Sequence, residues 1–254
     1  MQTVEVVCPS GLKGVLRAMK VKEEGLFGNK ALMRQHRIID KLLEACWEKT
    51  LDPGPYRVSA ESKLSWERVA AVDRIYAIIQ LRMLSYRKDY RFRVNCRNCE
   101  LAFDWALDLT ELDIIEMAPE GVDNLKTGEP IPIQLDNGLQ VLARVLVGED
   151  ETFLATTDGD DELLSTHLAR RIVKIGEAQA YDDVVAAIKE LRAADADELR
   201  SITDDIEGGV ETMFDVQCKG CKAVQKVLLP FEADFFSIQR KSSKSQRRRL
   251  RKSG

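Results

Sequence analysis

The sequence predicts an α+β fold in which helical segments and β-hairpins are joined by a split four-cysteine site that resembles a zinc ribbon. Two Cys-x-x-Cys pairs carry this prediction, and the 118 residues 100–217 separate them. Each pair lies between stretches in which apolar and polar residues alternate, a pattern typical of strands that meet at a hairpin tip. Helical periodicity outside the hairpins and a small β insertion between the pairs complete the mixed fold class.

The two cysteine pairs have the composition of a structural metal site. Four thiolates suit the tetrahedral coordination of Zn²⁺, and they leave no open position for a catalytic water. Such a site carries a net charge of about minus two, and Arg97, Lys219 and Lys222 lie where they could partly neutralise it. The predicted ligands are Cys96, Cys99, Cys218 and Cys221.

The turn inside each cysteine pair has a shared feature. The residue before the second cysteine is Asn98 in one copy and Gly220 in the other. Both residue types tolerate left-handed backbone, which we expect in a tight turn around the sulfurs. A single Cys-x-x-Cys could equally be a redox pair, but thioredoxin-like use requires a strand-to-helix context that neither copy shows. Two matched copies favour structural zinc over redox or metal-free cysteines.

The remaining cysteines and the histidines predict no second site. Cys8 and Cys46 lie apart from the pairs and are expected to be apolar fillers. His36 and His167 are expected on a surface or helix face, because no paired base or ligand is near them in the sequence. The chain also lacks a Gly-rich phosphate loop, a Gly-x-Ser-x-Gly elbow and a His-Glu-x-x-His motif. These absences predict a protein that is not an enzyme.

Charge is divided unevenly along the chain. The formal net charge is −4, and residues 240–254 contain eight lysines and arginines and no acid, so that the first 239 residues carry a formal −12. We expect the basic tail to be disordered. No apolar run is long enough to span a membrane, and charges replace a signal-peptide core in the first twenty residues. Together with six cysteines, which suit a reducing compartment, this predicts a cytoplasmic protein.

The first third of the chain is predicted to contain an arm and two helices. Turn residues within 4–22 indicate a short hairpin or arm. Apolar residues recur at helical spacing over residues 30–47, and Asp52-Pro53-Gly54-Pro55 then predicts a rigid loop.

The second helix is expected to begin at an N-cap on Ser62 and to reach about Lys88. Asp73, Arg74 and Arg82 lie off its apolar stripe, which we interpret as core packing against the first helix. The stripe consists of Val69, Val72, Ile75, Tyr76, Ile79 and Met83.

Between the cysteine pairs the sequence predicts a β-hairpin followed by three helices. Residues 131–135 and 139–147 flank an Asn-Gly step, a strong signal for a hairpin turn. Residues 148–150 and 158–161 are acidic breaks, and the aspartates of the second are better explained by helix capping than by a calcium loop.

Three helices are then predicted over residues 162–175, 184–191 and 195–206. Asp195 and Glu198 resemble a capping box at the start of the third helix, and Gly208-Gly209 is expected to end it. An apolar segment, residues 228–236, separates the second cysteine hairpin from the basic tail.

These observations divide the chain into six segments. They are an N-terminal arm and helical region (1–89), the first cysteine hairpin (90–117), a β-rich insertion (118–157), a helical region (158–208), the second cysteine hairpin that completes the ribbon (209–239) and the basic tail (240–254).

Several short motifs resemble one known family when their order and spacing are taken together. The motifs are Pro9-Ser10-Gly11-Leu12-Lys13-Gly14, Leu51-Asp52-Pro53-Gly54-Pro55-Tyr56, the two cysteine pairs, Gly209-Val210-Glu211-Thr212, and Leu229-Pro230-Phe231-Glu232-Ala233-Asp234-Phe235-Phe236. The chain resembles the T-even-phage family of baseplate hub subunits and hub assembly chaperones, including members in contractile injection systems and prophages.

This resemblance implies a non-enzymatic protein, made in the bacterial cytoplasm, that helps to build the central hub of a contractile tail or forms part of it. The implied partners are baseplate hub or spike proteins. Residues 240–254 match no part of the family pattern, and the resemblance leaves open whether the protein stays in the finished particle.

Two other functions remain open at this level. A nucleic-acid-binding zinc ribbon is the first, because eight positive charges in residues 240–254 could contact phosphates, although the acidic body opposes this. A redox-sensing chaperone that releases zinc on oxidation is the second, because metal-bound thiolates remain oxidisable.

Overall fold

A computed structural model describes residues 2–58, 64–156, 163–231 and 233–236, and it confirms the α+β class. The strands are β1 (Thr3–Val7), β2 (Lys13–Arg17), β3 (Trp47–Asp52), β4 (Asp89–Asn95), β5 (Ala102–Asp108), β6 (Ile114–Ile115), β7 (Ile131–Gln134), β8 (Gln140–Ala143), β9 (Ile172–Ile175), β10 (Gly209–Val210), β11 (Met213–Gln217) and β12 (Val224–Leu228). The helices are α1 (Val21–Glu24), α2 (Lys30–Arg34), α3 (Ile38–Cys46), α4 (Ala71–Ser85), α5 (Pro119–Thr127), α6 (Gly148–Thr156), α7 (Leu163–Arg171), α8 (Tyr181–Lys189) and α9 (Ala193–Glu207). Short 3-10 helices cover Gly25–Gly28, Trp66–Arg68, Leu109–Glu111 and Ala233–Phe236.

The N-terminal sheet confirms the predicted hairpin and adds a strand to it. β1, β2 and β3 pair in that order, all antiparallel. The prediction of one helix over residues 30–47 was wrong, because His36 takes a left-handed conformation (φ 52°) between α2 and α3. The strand β3 begins directly after α3, at Trp47. A Cβ atom on Gly14 would lie 2.0 Å from the Trp47 ring, so β2 needs glycine at this point.

The central helix α4 is more deeply buried than its sequence pattern suggested. It begins at Ala71, with a 3-10 helix before it, whereas the predicted N-cap Ser62 lies outside the described residues. The helix contacts α3 as predicted, but also β1, β2, α6 and β10. Because these elements surround it, Asp73, Arg74 and Arg82 are buried, as are Val69 and Ile79 of the apolar stripe, whereas the other stripe residues are partly buried.

A second core forms between the two cysteine pairs. The predicted hairpin is confirmed as β7 and β8, with Gly138 at φ 86° in its turn and the Asn137 side chain accepting a hydrogen bond from the Leu139 amide. The prediction of a helix over residues 162–175 was wrong at its end. The helix α7 stops at Arg171, and β9 pairs with β8 because Ile172 and Ile175 face the apolar interior. The helices α5, α8 and α9 contribute to the same core.

Two further local predictions from this region were wrong. Residues 148–150 start α6 instead of breaking the chain, since the Asp150 carboxylate accepts bonds from Arg144, Arg170 and the Val147 amide. Asp195 is not a cap, because α9 begins two residues earlier and Asp195 forms an ion pair with Arg192. Gly208 ends α9 as predicted, and residues 158–161 lie outside the described residues.

The cysteine hairpins are β4 paired with β5 and β11 paired with β12. Each is only two-stranded, and their inner faces pack together through contacts such as the edge-to-face pair of Phe92 and Phe214. Val210 does not extend the second hairpin as predicted, because it pairs with Ile114 of β6. Within the described residues, no helix is long and apolar enough to cross a membrane.

Candidate metal centre

The structure brings the two remote cysteine pairs together at the tips of their hairpins. Cys96 and Cys99 lie in the turn between β4 and β5, and Cys218 and Cys221 lie in the turn between β11 and β12. All four Sγ atoms lie within 4.8 Å of one another. One sulfur of each pair is buried and the other is exposed, so the cluster sits at the surface with its inner side covered.

The sulfur spacing suits one shared ion. The Sγ atoms of Cys96 and Cys221 are 3.6 Å apart, and those of Cys99 and Cys218 are 3.7 Å apart. Four ligands at a Zn–S distance of about 2.3 Å would form a tetrahedron with edges of about 3.8 Å. A disulfide needs about 2.05 Å between sulfurs, and all four thiols are free. The cluster therefore has the dimensions of a tetrahedral metal site.

The two turns have the same hydrogen-bond pattern. In the first, the Cys96 carbonyl accepts a bond from the Glu100 amide and the Asn98 amide points to the Cys96 sulfur at 3.4 Å. In the second, the Cys218 carbonyl accepts a bond from the Lys222 amide. The Gly220 amide points to the Cys218 sulfur at 3.3 Å. These amides place positive partial charge beside sulfur in both copies.

The left-handed residue of each turn is not the one that the sequence predicted. Positive φ occurs at Glu100 (58°) and Lys222 (65°), one residue after the second cysteine, and not at Asn98 or Gly220. The chain must reverse after the second sulfur to re-enter its outgoing strand, so that position bears the unusual conformation. At Gly220, a Cβ would lie 2.8 Å from the end of the exposed Leu101 side chain, which would have to move to make room.

Direct contacts between the hairpins hold the two halves of the cluster in register. The Gln225 side chain accepts a bond from the Arg97 amide at 2.8 Å and donates to the Asn95 carbonyl at 3.0 Å. The side-chain amide of Asn98 donates to the Cys221 sulfur across the interface at 3.5 Å. Lys219 was expected to neutralise the sulfurs, but its ammonium donates to the Asp104 carbonyl.

The surrounding groups give the cysteines of the cluster different pKa values. The hydrogen bond from Asn98, aided by the backbone at Ala223, lowers the pKa of Cys221 to about 6. The Leu101 amide lowers the pKa of Cys99, but bonding to the neighbouring sulfurs outweighs it and raises this pKa to about 11. A cluster of this kind releases protons when a cation binds, because metal ligands must be thiolates.

The other cysteines and histidines lie away from this cluster. Cys8 and Cys46 are buried in the main apolar core, as predicted for apolar fillers, and burial raises the pKa of the Cys46 thiol to about 11. His36 and His167 are exposed, as predicted. Within the part of the chain that the structure describes, the candidate metal ligands are therefore these four sulfurs, and four such ligands close a tetrahedral shell.

A second cluster of side chains from distant segments surrounds Asp73 on α4, and it was not predicted from the sequence. Its carboxylate accepts bonds from the Ser10 amide at 3.0 Å, from the Ser10 hydroxyl, and from the Tyr56 hydroxyl at 2.6 Å. The Tyr56 oxygen in turn accepts the Ala70 amide at 3.1 Å. Asp73 is fully buried, and burial raises its pKa although the bonds from Ser10 and Tyr56 lower it.

The Asp73 contacts explain two of the motifs singled out in the sequence. Ser10 belongs to the turn between β1 and β2, and Tyr56 belongs to the loop after β3. Gly11 and Gly54 both have positive φ, and a Cβ on Gly54 would lie 2.9 Å from the Leu12 amide nitrogen. These two turns pack closely, so that both polar side chains reach the same buried carboxylate.

The fold and the cluster define an α+β protein in which two cysteine hairpins, distant in sequence, form one composite centre. A family model described as "T4 bacteriophage base plate protein" matches residues 1–237, and the chain belongs to this family. Membership indicates a structural or assembly role in a phage baseplate and contact with other baseplate proteins. Comparison with curated proteins and with solved structures found no match.

Proposed function

We propose that this protein is a non-enzymatic assembly factor or structural subunit of the baseplate hub of a contractile tail or injection system. In this proposal, one structural zinc on Cys96, Cys99, Cys218 and Cys221 fixes the orientation of its protein-binding surfaces. The supporting observation is the meeting of four sulfurs from two hairpins at tetrahedral spacing, in a chain that belongs to a baseplate family.

Zinc is the proposed ion because soft thiolates in a tetrahedral S₄ set are typical of zinc or iron sites. A closed shell without an open position supports structure rather than catalysis. Each hairpin is only two-stranded, and isolated two-stranded hairpins are at best marginally stable in water. An ion shared between them would supply stability that neither small sheet has by itself.

In this proposal, the ion fixes the relative positions of the six segments predicted from the sequence. The ribbon formed by 90–117 and 209–239 joins the N-terminal region to the helical and β-rich segments between the pairs. The protein is made in the bacterial cytoplasm and contacts hub or spike proteins there, before or during incorporation into the tail particle.

The test combines metal analysis with identification of the partner. The full chain is purified from cells that express the baseplate, its metal content is measured, and co-purifying proteins are identified by mass spectrometry. We expect one zinc per chain and recovery of a hub or spike protein. The double variant Cys218→Ser/Cys221→Ser should lose both, whereas Cys8→Ala, which removes a thiol outside the cluster, should keep both.

Two results would contradict the proposal. Finding iron in place of zinc, or no bound metal, would contradict the proposed structural zinc. Recovery of the chain without any baseplate component would contradict the proposed hub role. Salt-dependent DNA binding that disappears when residues 240–254 are deleted would instead favour the nucleic-acid function.

A further inference from the structure

An apolar groove of about 430 Å³ opens on the face of the protein formed by α2, α3, α4 and the C-terminal 3-10 helix. Its apolar lining includes Phe27, Met33, Ile39, Ile75, Phe231 and Phe236. Met33 is 52% exposed, Phe231 42% and Ile39 37%. Contiguous exposure of this kind is unusual on a soluble monomer and typically marks an interaction surface.

The groove has a firm base. Phe236 stacks on Phe27 with ring centroids 5.1 Å apart, and Phe235 is buried against Tyr90. The Tyr90 hydroxyl also donates to the Pro230 carbonyl at 3.0 Å. The wall of the groove formed by residues 230–236 therefore packs against Tyr90 of the first cysteine hairpin. These contacts hold the groove in shape without a partner.

The carboxylates at the groove are already paired with arginine. Glu151 lines the groove and accepts a bond from Arg74 at 2.6 Å. The same guanidinium contacts Asp40, and Arg37 pairs with Glu67. Arg74 is shared by Glu151 and Asp40, and Arg37 also contacts Asp40. The two arginines offset two of the three negative charges, so the formal net charge of this end of the groove is 2 − 3 = −1.

The rim beside Met33 is positively charged. Lys30 lies one helical turn before Met33 and Arg34 follows it directly; both are exposed, and neither forms an ion pair within the described part of the chain. Residues 25–37 contain no Asp or Glu. The α2 side of the groove, with Lys30 and Arg34, thus forms a locally basic rim on an otherwise acidic body.

We propose that this groove binds an amphipathic segment of another baseplate protein, one whose apolar side chains are flanked by Asp and Glu. The apolar floor would accept side chains spaced as on one face of a helix, and the basic rim would select acidic flanks and exclude basic ones. This inference rests on the proposed function, because it names the surface through which the hub partner is held.

The first experiment places a photo-crosslinking amino acid at position 33, in the full chain, in cells that express the baseplate. The matched control carries it at position 21, where Val21 is 82% exposed but does not line the groove. We expect position 33 to crosslink to an acid-flanked segment of a baseplate protein and position 21 to give no such product.

Three results would overturn the groove inference. They are a crosslink from position 33 to residues 237–254 of the same chain, a crosslink to a second copy of the chain, and the absence of any crosslink from this position. A crosslink to an acid-flanked segment of a protein outside the baseplate would uphold the groove inference and contradict the proposed hub function.

The second experiment tests the rim charges. The variant Lys30→Glu/Arg34→Glu should recover roughly tenfold less of the crosslinked partner, because two charges that attract acidic flanks are replaced by two that repel them. The control Lys49→Glu/Lys226→Glu changes the net charge equally at exposed sites outside the groove and should recover as much partner as the native chain. Equal loss in both variants would contradict selection by the rim. Unchanged thermal melting of both variants excludes unfolding as the cause.

Discussion

Two places in this protein gather segments that are far apart in the sequence, and they do so differently. At Asp73, a buried carboxylate collects Ser10 and Tyr56, and protein atoms complete its hydrogen bonding. At the cysteine cluster, four sulfurs converge without forming a disulfide bond. The first junction is therefore complete in the polypeptide alone, whereas the second has the spacing of a tetrahedral set of metal ligands.

The cost of closing these junctions differs little. Cys96 and Cys221 are separated by 125 positions and Ser10 and Asp73 by 63, and loop-closure entropy rises only logarithmically with length. The two junctions differ in the free energy that their contacts contribute to offset this cost. A few hydrogen bonds contribute about 1 kcal/mol each, while structural zinc contributes on the order of 10 kcal/mol in small domains.

The largest expected effect therefore follows from removal of the metal. Chelation, or Cys218→Ser/Cys221→Ser, should lower the free energy of unfolding by more than about 4 kcal/mol. Guanidinium titration of the metal-loaded and chelated chain would measure this. In Cys8→Ala, metal content should be unchanged and the loss should not exceed about 2 kcal/mol. Equal stability with and without chelator would show that the cysteine junction, like the Asp73 junction, needs no ion.

The next effect concerns Asp73. The variant Asp73→Ala should lower the free energy of unfolding by about 2–4 kcal/mol, because it leaves the buried donors of Ser10 and Tyr56 without their acceptor. Metal content should not change, which would show that the two junctions act separately. Joint loss of stability and zinc would instead show that they are coupled.

The pH dependence provides a sharper test of the Asp73 junction. Burial raises the folded-state pKa of Asp73 above its unfolded value, so the folded state binds the proton more tightly. Its contribution to stability is then greatest below the unfolded pKa, about 4, and declines as pH rises through the folded-state pKa. The stability difference between the native chain and Asp73→Asn should shrink as pH increases.

Glu23 should behave in the opposite way. Burial raises its pKa, but the bonds from Arg17 and the Lys20 amide outweigh this and lower the pKa to about 2. Its contribution is present at neutral pH and is lost as pH falls from about 4.5 to about 2. Denaturant titrations of Glu23→Gln and Asp73→Asn between about pH 3 and pH 8 should give stability differences from the native chain that change with pH in opposite directions.

A smaller effect is expected from Tyr56→Phe, which removes the hydroxyl that links Asp73 to the Ala70 amide. The loss should be about 1–3 kcal/mol, since two buried polar groups lose a partner. Tyr86→Phe removes a hydroxyl bonded to the exposed Glu24 carboxylate and should cost less than about 1 kcal/mol. Similar losses in the two variants would mean that the Asp73 junction adds nothing beyond an exposed contact.

The smallest effect tests the turn geometry of the cysteine cluster. Glu100→Gly and Lys222→Gly should each stabilise the protein by up to about 1 kcal/mol, because both residues have positive φ and glycine adopts this conformation freely. The matched variants Glu100→Ala and Lys222→Ala keep the strain and should give no gain. A gain from alanine would place the strain elsewhere in the turn.

The cysteine junction could be predicted from the sequence because its signal is local and chemically specific. Two Cys-x-x-Cys pairs between alternating stretches have few other interpretations, and the hairpins, the Asn-Gly turn and the α+β class followed from short-range patterns. The errors fell where tertiary contacts compete with periodicity. Residues 30–47 have helical spacing throughout, yet His36 interrupts the helix. Trp47 joins a sheet whose other strands end at Val7 and Arg17, far earlier in the chain.

The sequence by itself determined the composition of the cysteine cluster, its hairpin setting and the separation of an acidic body from a basic tail, since each depends on neighbouring residues. Only the tertiary structure decided that Asp73, Arg74 and Arg82 are buried, that Ile172 and Ile175 are in a strand, and that an apolar groove with a basic rim lies beside α2. Burial and strand pairing depend on which distant segments pack together, and no local pattern records that choice.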